Sequence, residues 1–477
     1  MNWLWTTETM SSVMEGRPLG ALPEGITGIS IDSRTIRPGE AFFAIRGDRV
    51  DGHDFASIAV ANGASVIVVS EGKLPAMGRL TIPMIVVEDV LVALQKLGIA
   101  ARERSNAQIL AVTGSVGKTT TKEILRDILS PSGQVHAAVA SFNNHWGVPL
   151  TLARMPQDCD YGIFEIGMNH PGEIRPLVAM VRPHVAIITT IAAAHMGHFE
   201  SLEDIAQAKA EIFDGVEAGG AVILNRDNKQ FSLLQEKAHD AGIERIYTFG
   251  QHAKADFRLA DFEGDGQSSI IWATLNGETV EVQIGVAGRH IAENAVAALG
   301  ASTLAGADLT RAIEALARLQ PVKGRGQQHR LAVAGGVLTL IDESYNANPA
   351  SMRAAIALLA VTEPRRAGRR IAVLGDMLEM GDFSARAHEE LAGAILAAGI
   401  EHVWLAGPEM TALKDALPES VAVEYRQTTE ELRDYVLCNV AADDVVMVKS
   451  SLGIGFGKII AALIDKYPAV SDTKRQS

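Results

Sequence analysis

Residues 112–120 read Val-Thr-Gly-Ser-Val-Gly-Lys-Thr-Thr. An apolar run at 108–113 enters this glycine turn, and Lys118-Thr-Thr-Thr-Lys-Glu-Ile-Leu-Arg126 leaves it. The order predicts strand, glycine loop and helix, so that backbone N–H groups and a helix N-terminus face one point and hold phosphate. Gly114, Ser115, Val116, Gly117, Lys118, Thr119 and Thr120 are the candidate contacts. Lys118 would neutralise the β/γ oxygens of a nucleoside triphosphate, and the Thr119 hydroxyl would sit on Mg²⁺. The widespread pattern G-x-x-x-x-G-K-[ST] is not met, because Val112 stands where its first glycine belongs. The shorter T-G-x-x-G-K-T-T remains, and it predicts binding of ATP or GTP.

At 477 residues the chain is too long for one ordinary core, and about three domains are expected. A net charge of −14 argues against a general hold on nucleic acid or an anionic membrane. Anionic substrates must then be held by local glycine loops and single Lys or Arg residues. Cys159 and Cys438 fit neither a metal cluster nor a disulfide framework. The N-terminal residues do not read as a signal peptide, and no stretch approaches the length of a membrane span, so a cytoplasmic protein is expected.

The hydrophobic pattern predicts an α/β protein of three domains. Residues 1–86 carry short strand-like runs at 28–32, 41–46 and 64–69, a small mixed domain; Asp89 then caps an amphipathic helix with Leu91, Leu94 and Leu97. Residues 87–319 alternate strands (109–113, 161–166, 185–191, 221–225, 245–249) with helices, which predicts a parallel sheet covered on both faces. A period-two stretch from 257 to 284, turning at Asn276-Gly277, predicts a small antiparallel addition. Residues 320–470 form a third, Rossmann-like set with strands at 337–341, 370–374, 402–406 and 445–448. The polar tail, 471–477, is expected to be disordered.

Four further groups carry chemistry. Glu165 ends an apolar strand of the phosphate-loop sheet, a position suited to a metal-directed acid. His195 stands at another strand end; with His198 it spells H-x-x-H, but no third ligand accompanies the pair, so zinc is not expected. Lys209 falls on the apolar stripe of a helix capped by Ser201 and running through Phe213. An inward lysine must be paired, neutral or modified, unless it snorkels to the edge. Residues 341–349, Ile-Asp-Glu-Ser-Tyr-Asn-Ala-Asn-Pro, close a strand with an acid and a polar turn, and Gly288-Arg-His290 precedes Asn294 on an alanine-rich helix.

In order, TGSVGKTT, FEIG at 164–167, AHMGHF…AKAEIF at 194–213 and GRH…NA at 288–295 resemble the Mur ligase family. The residues at 342–349, 373–381 and 141–152 are similar to those of the member that adds D-alanyl-D-alanine. Those at 29–55 resemble the family's uridine-nucleotide domain. The resemblance implies an ATP-dependent ligase that joins D-alanyl-D-alanine to UDP-N-acetylmuramoyl-tripeptide through an acyl phosphate. It also implies Mg²⁺ held by Thr119 and Glu165, a second ion held by His195 and Lys209, and Lys209 as N6-carboxylysine. Lys118, Glu165, His195 and Lys209 would be catalytic, and Asn294, Arg325 and Asp342 would add to the ATP site. Asp32, Ser33, Arg34, Gly52, His53, Asn143, Asn144, Tyr345, Asn346 and Asn348 would meet the other substrates.

A monomer without nucleic-acid or membrane partners is expected. The family's pattern is altered at Ile291, Thr190 and Leu452, where Asn, Asn and Arg are usual. Alternative readings are a diaminopimelate- or lysine-adding relative, a folylpolyglutamate synthase-like ligase, and a P-loop switch protein. The D-N-P-R signature of the first and the N-K-x-D motif of the last are absent from the sequence.

Overall fold

Aliphatic runs at Gln108–Thr113, Tyr161–Glu165, Val185–Ile188 and Ala221–Asn225 are buried on both faces, as strands must be when helices cover either side of a parallel sheet. The computed structural model describes residues 3–47, 50–78, 80–139, 141–194 and 196–470. The tail at 471–477 lies outside the described residues, as does His195.

The central sheet has nine strands. Its parallel part runs in space from Val135–Ala137 through Tyr161–Glu165, Gln108–Thr113, Val185–Ile188 and Ala221–Asn225 to Arg245–Gly250. The antiparallel stretch is no separate layer. Phe257–Gly264 joins Arg245–Gly250 in parallel, and Ser269–Leu275 and Glu278–Ile284 then continue the same sheet outward. The extension covers an edge that would otherwise present unpaired backbone groups. Asn276 and Gly277 both have positive φ, 53° and 85°, as a two-residue hairpin turn requires.

The N-terminal sheet orders Arg17–Leu19, Met84–Val87, Val66–Ser70, Glu40–Phe43 and Gly28–Ser30, all parallel but the first. Asp89 Oδ1 accepts from Leu91 and Val92 N–H, starting the helix Val90–Glu103. The buried face of that helix shares one core with the first sheet and with Leu150 and Ala153 of the helix Gly147–Ala153. Trp5 Nε1 donates to Ala153 O at 2.8 Å, and Arg154 Nε to Ile29 O at 2.7 Å, across the same junction.

The C-terminal sheet orders Gln327–Val333, Gly336–Glu343, Val445–Lys449, Arg370–Gly375, His402–Ala406 and Ala422–Arg426. Gln327–Val333 and Ala422–Arg426 went unforeseen. Both are edge strands, half-exposed along their length, so neither shows the buried run that marks the other four. Because Val445–Lys449 lies between strands 336–343 and 370–375, the loops leaving these three meet at one carboxyl edge.

The helix capped by Ser201 is α-helical over Leu202–Ala210 and tightens to a 3₁₀ turn over Glu211–Gly215. Among the described residues no helix is long and apolar enough to cross a membrane.

Candidate active site

The phosphate loop is shaped by its neighbours. Gly114 and Gly117 have φ of 146° and 91°, and a Cβ on Gly114 would collide with Thr189 Oγ1. That hydroxyl donates to Val116 O at 2.5 Å, and Ser115 N donates to Thr190 O at 2.8 Å. Ser115 Oγ in turn accepts from Ala192 N at 3.1 Å, so the loop is laced to the end of the adjoining strand. Lys118 opens the helix Lys118–Leu129 and folds back, donating from Nζ to Gly114 O at 2.7 Å. Burial lowers its pKa, Glu165 opposes the shift and Arg325 reinforces it.

Beside the loop lies a group of oxygen donors. Thr119 Oγ1 donates to Glu165 Oε2 at 2.8 Å and stands 3.1 Å from Ser141 Oγ, while Asn143 Nδ2 donates to Glu165 Oε1 at 2.7 Å. Two hydroxyls and a carboxylate, linked through Thr119, are oxygen ligands of the hard kind that Mg²⁺ prefers. Ser141 was not among the expected ligands, although it opens the 141–152 segment that carries part of the resemblance. Lys209 is 1 % exposed, where its place on the apolar stripe puts it. Burial, and then the charge of Lys118, push its pKa well below the ordinary lysine range. Among the described residues no three His, Cys, Asp or Glu side chains gather as a metal cluster.

A cavity of about 550 Å³ opens in front of this group. Its central wall includes the phosphate loop, Asn143, Glu165, Thr189, Thr190, Ile291 and Asn294. The facing wall comes from the carboxyl edge of the C-terminal sheet, with Arg325, Glu343, Tyr345, Asn346, Asn348 and Lys449 among its members. Arg325 lays its guanidinium 4.5 Å from the centre of the Tyr345 ring. His290 also faces the cavity, and burial lowers its pKa.

Three expected residues sit differently. Asp342 does not line the cavity: strand alternation turns it aside, and its Oδ1 accepts from Ser344 N and Oγ at 3.0 and 2.6 Å. Its neighbour Glu343 faces the cavity instead and pairs with Lys449 Nζ at 3.2 Å, while that ammonium also donates to Asn346 O at 2.9 Å. Asn144 uses its side chain to accept from Gly147 N at 2.9 Å, at the start of a helix. Asn348 reaches the cavity but forms a capping box with Ser351 at the head of the helix Pro349–Val361. Glu343 and Lys449, 106 residues apart, lie in segments the sequence singled out, 341–349 and the altered pattern ending at Leu452, but nothing in the sequence paired them.

Family profiles match along the chain: "Mur ligase family, catalytic domain" over residues 25–102, "Mur ligase middle domain" over 112–302, and "Mur ligase, glutamate ligase domain" over 324–452. The UDP-N-acetylmuramoyl-tripeptide–D-alanyl-D-alanine ligase of Rickettsia prowazekii (strain Madrid E) is 33 % identical over 96 % of this chain and 99 % of the relative. This chain belongs to the Mur ligase family. Its mixed α/β architecture is that of other Mur ligases. MurF from Acinetobacter baumannii superposes with a TM-score of 0.82 at 30 % identity, covering 97 % of this chain and 99 % of the other. The MurF ligase of Thermotoga maritima in complex with ADP gives 0.74 at 25 % identity, covering 92 % and 97 %.

This Mur ligase carries its other expected substrate residues in the N-terminal domain, in the turn after Gly28–Ser30 and the 3₁₀ turn Gly52–Phe55, and none of them lines the cavity. Arg34 binds Asp32 through Nε and Nη2 at 2.9 and 2.7 Å, and that bond lowers the Asp32 pKa. Ser33 is buried, and its carbonyl accepts from Asn62 Nδ2. His53, 4 % exposed, is a structural peg: its Nε2 accepts from Ser70 N at 3.0 Å, so Nδ1 carries the proton toward Asp51 Oδ1 at 2.6 Å. Burial raises the Asp51 pKa, but Lys73 and His53 outweigh it and hold the carboxyl low. A Cβ on Gly52 would stand 2.6 Å from Ile45 O.

Of the three departures, Ile291 lines the cavity without a polar group. Thr190 accepts on its carbonyl from Ser115 and on its hydroxyl from Asn228, and Leu452 projects into the cavity 61 % exposed.

Proposed function

We propose that this Mur ligase joins D-alanyl-D-alanine to UDP-N-acetylmuramoyl-tripeptide with conversion of ATP to ADP and phosphate. One observation carries the reading: a phosphate loop and a second sheet's carboxyl edge face each other across a single cavity. Full-length relatives named for that reaction support it. The division of labour follows the sheets, with 1–86 for the uridine nucleotide, 87–319 for ATP and 320–470 for the incoming dipeptide.

The tripeptide's terminal carboxylate attacks the γ-phosphorus, forming an acyl phosphate and releasing ADP. The dipeptide amine then attacks the acyl carbon, loses a proton, and phosphate leaves with its bonding pair. The protein's part is positioning and charge neutralisation. Lys118 exchanges Gly114 O for the migrating phosphoryl oxygens, and Asn294 and Arg325 hold the nucleotide from either wall. Asp32, Ser33, Arg34 and the Gly52-His53 turn hold the uridine diphosphate, and Asn143 faces the muramoyl peptide. Tyr345 and Asn346 meet the substrates from the C-terminal side.

Thr119 and Glu165, with Ser141 beside them, fit Mg²⁺, which when bound would offset phosphate charge. Lys209, whose pKa burial lowers, has a nitrogen that in its neutral form adds to CO₂ with loss of a proton, giving the carbamate oxygens expected with His195 at a second ion.

The test is a complete reaction in which ATP, UDP-muramoyl tripeptide and D-alanyl-D-alanine are omitted one at a time, with products identified by mass. UDP-muramoyl pentapeptide should form only when all three are present. Product from UDP-muramoyl dipeptide and diaminopimelate, or phosphate release without a peptide acceptor, would overturn the assignment.

A further inference from the structure

We infer that the backbone contact between Gly197 and the turn at 379–381 is a positioning latch that carries the C-terminal domain's engagement to the segment leading into the Lys209 helix. The inference rests on the dipeptide-ligase reading and adds a regulated contact to that site.

Gly197 N donates to Glu379 O at 3.0 Å, joining the central domain to a turn of the C-terminal domain whose Glu379 and Met380 line the cavity. The hydrogen bond is made by backbone atoms on both sides, and the glycine at 381 leaves no room there for a side chain. A Cβ on Gly381 would stand 2.9 Å from Gly197 Cα. The turn is held in an unusual shape to reach it: Glu379 and Gly381 have φ of 63° and 55°, and a non-glycine residue at such φ costs energy that its surroundings must offset. Met196 and Phe199 on one side, and Met377 and Met380 on the other, belong to one buried apolar cluster, which brackets the hydrogen bond.

Each end of the latch is tied to chemistry. On the C-terminal side, Leu378 N donates to Ser451 Oγ at 2.9 Å and Ser451 N donates to Asp376 O at 3.1 Å. The turn and the loop after Lys449 therefore move as one piece, and both line the cavity. On the central side, residues 196–198 form a 3₁₀ turn, and Ser201 three residues later caps the helix that carries Lys209. A shift of the C-terminal edge pulls on this segment directly. A dipeptide held against that edge would thereby stabilise the arrangement of Lys209 beside the phosphate loop.

The two glycines make unequal demands, which gives the test its control. A Cβ on Gly197 meets nothing nearer than 3.5 Å, whereas one on Gly381 is blocked by Gly197 itself. Gly381→Asn is the informative variant, because asparagine tolerates positive φ and so separates the blocked approach from backbone strain. In the wild type, Gly197→Ala and Gly381→Asn, the readouts are kcat, the KM for D-alanyl-D-alanine, affinity for a fluorescent ATP analogue, and the melting temperature.

The expected result for Gly381→Asn is a kcat about tenfold to a hundredfold lower and a raised dipeptide KM, with nucleotide affinity and melting temperature held. Gly197→Ala should match the wild type. Unchanged kcat and KM in Gly381→Asn would overturn the latch, as would a loss confined to melting temperature. An equal defect in Gly197→Ala would also overturn it. Failure of the wild type to use the dipeptide would instead count against the assigned reaction.

Discussion

Thr119 Oγ1 donates to Glu165 Oε2 at 2.8 Å, joining the first turn of the phosphate-loop helix to the end of the neighbouring strand. The pair is preformed by the parallel register that sets Glu165 beside Val112. Thr119 and Glu165 would hold a divalent ion, whose charge would give the carboxylate a stronger partner than the hydroxyl does. Glu165→Gln keeps the shape and an acceptor oxygen but removes the charge. Turnover should fall by roughly 10²- to 10³-fold, and the Mg²⁺ concentration needed for half-maximal rate should rise. A Mg²⁺ titration of the variant with an unchanged midpoint would separate Glu165 from metal binding.

Lys118→Ala should lower turnover by a factor on the order of a thousand while the protein stays folded. Among the described residues Lys118 Nζ donates to its own loop's carbonyl, Gly114 O, so its loss removes charge from the site and no hydrogen-bonded bridge between elements. Near-normal turnover would show that phosphoryl transfer occurs elsewhere.

Lys209 should carry a carbamate. A ¹³C signal from labelled bicarbonate should appear in the wild type and be absent in Lys209→Ala. The variant should be nearly inactive and partly restored by acetate. Lys209→Arg, which is permanently cationic and cannot be carbamylated, should stay inactive. The pH dependence follows from the direction of the shift. Burial lowers the amine's pKa, so the neutral, reactive form persists at pH values where an ordinary lysine is protonated. Acidification through the lowered pKa should remove the carbamate signal and activity together. Full activity in Lys209→Arg would remove the carbamate from the mechanism.

His136 predicts a stability change with acid. Burial lowers its pKa to about 4, against a partly compensating hydrogen bond from Nε2 to Thr151 O at 2.7 Å. The unfolded chain takes up this proton near pH 6.5 and the folded one near 4. Stability from this group is therefore complete above 6.5 and is lost as pH falls toward 4. The melting temperature should drop over that window, and His136→Gln should flatten part of the slope. A slope identical in the variant would place the acid sensitivity in other groups.

Much of the local structure was legible because its causes lie within a few residues of each other. The caps at Asp89 and Ser201, the Asn276-Gly277 hairpin and the turn between Gly114 and Gly117 are each decided by short-range hydrogen bonds and allowed backbone angles. Burial of Lys209 was legible too, since helical periodicity alone puts it on the apolar face. The antiparallel strands were foreseen, but not that they would extend the central sheet. The missed edge strands, Arg17–Leu19, Val135–Ala137, Gln327–Val333 and Ala422–Arg426, lack the buried run on which such reading depends.

The sequence by itself determined the strand, glycine turn and helix at 108–129 and which lysine is forced inward, because each is a property of one contiguous segment. Only the tertiary structure decided that Glu343 rather than Asp342 faces the cavity, that Lys449 is its partner, and that Gly197 meets the turn at Gly381. Those outcomes depend on strand register and on which loops the crossovers bring to one sheet edge. A one-residue difference along a strand reverses the side chain's face, and nothing local in the sequence states which face will meet a second domain.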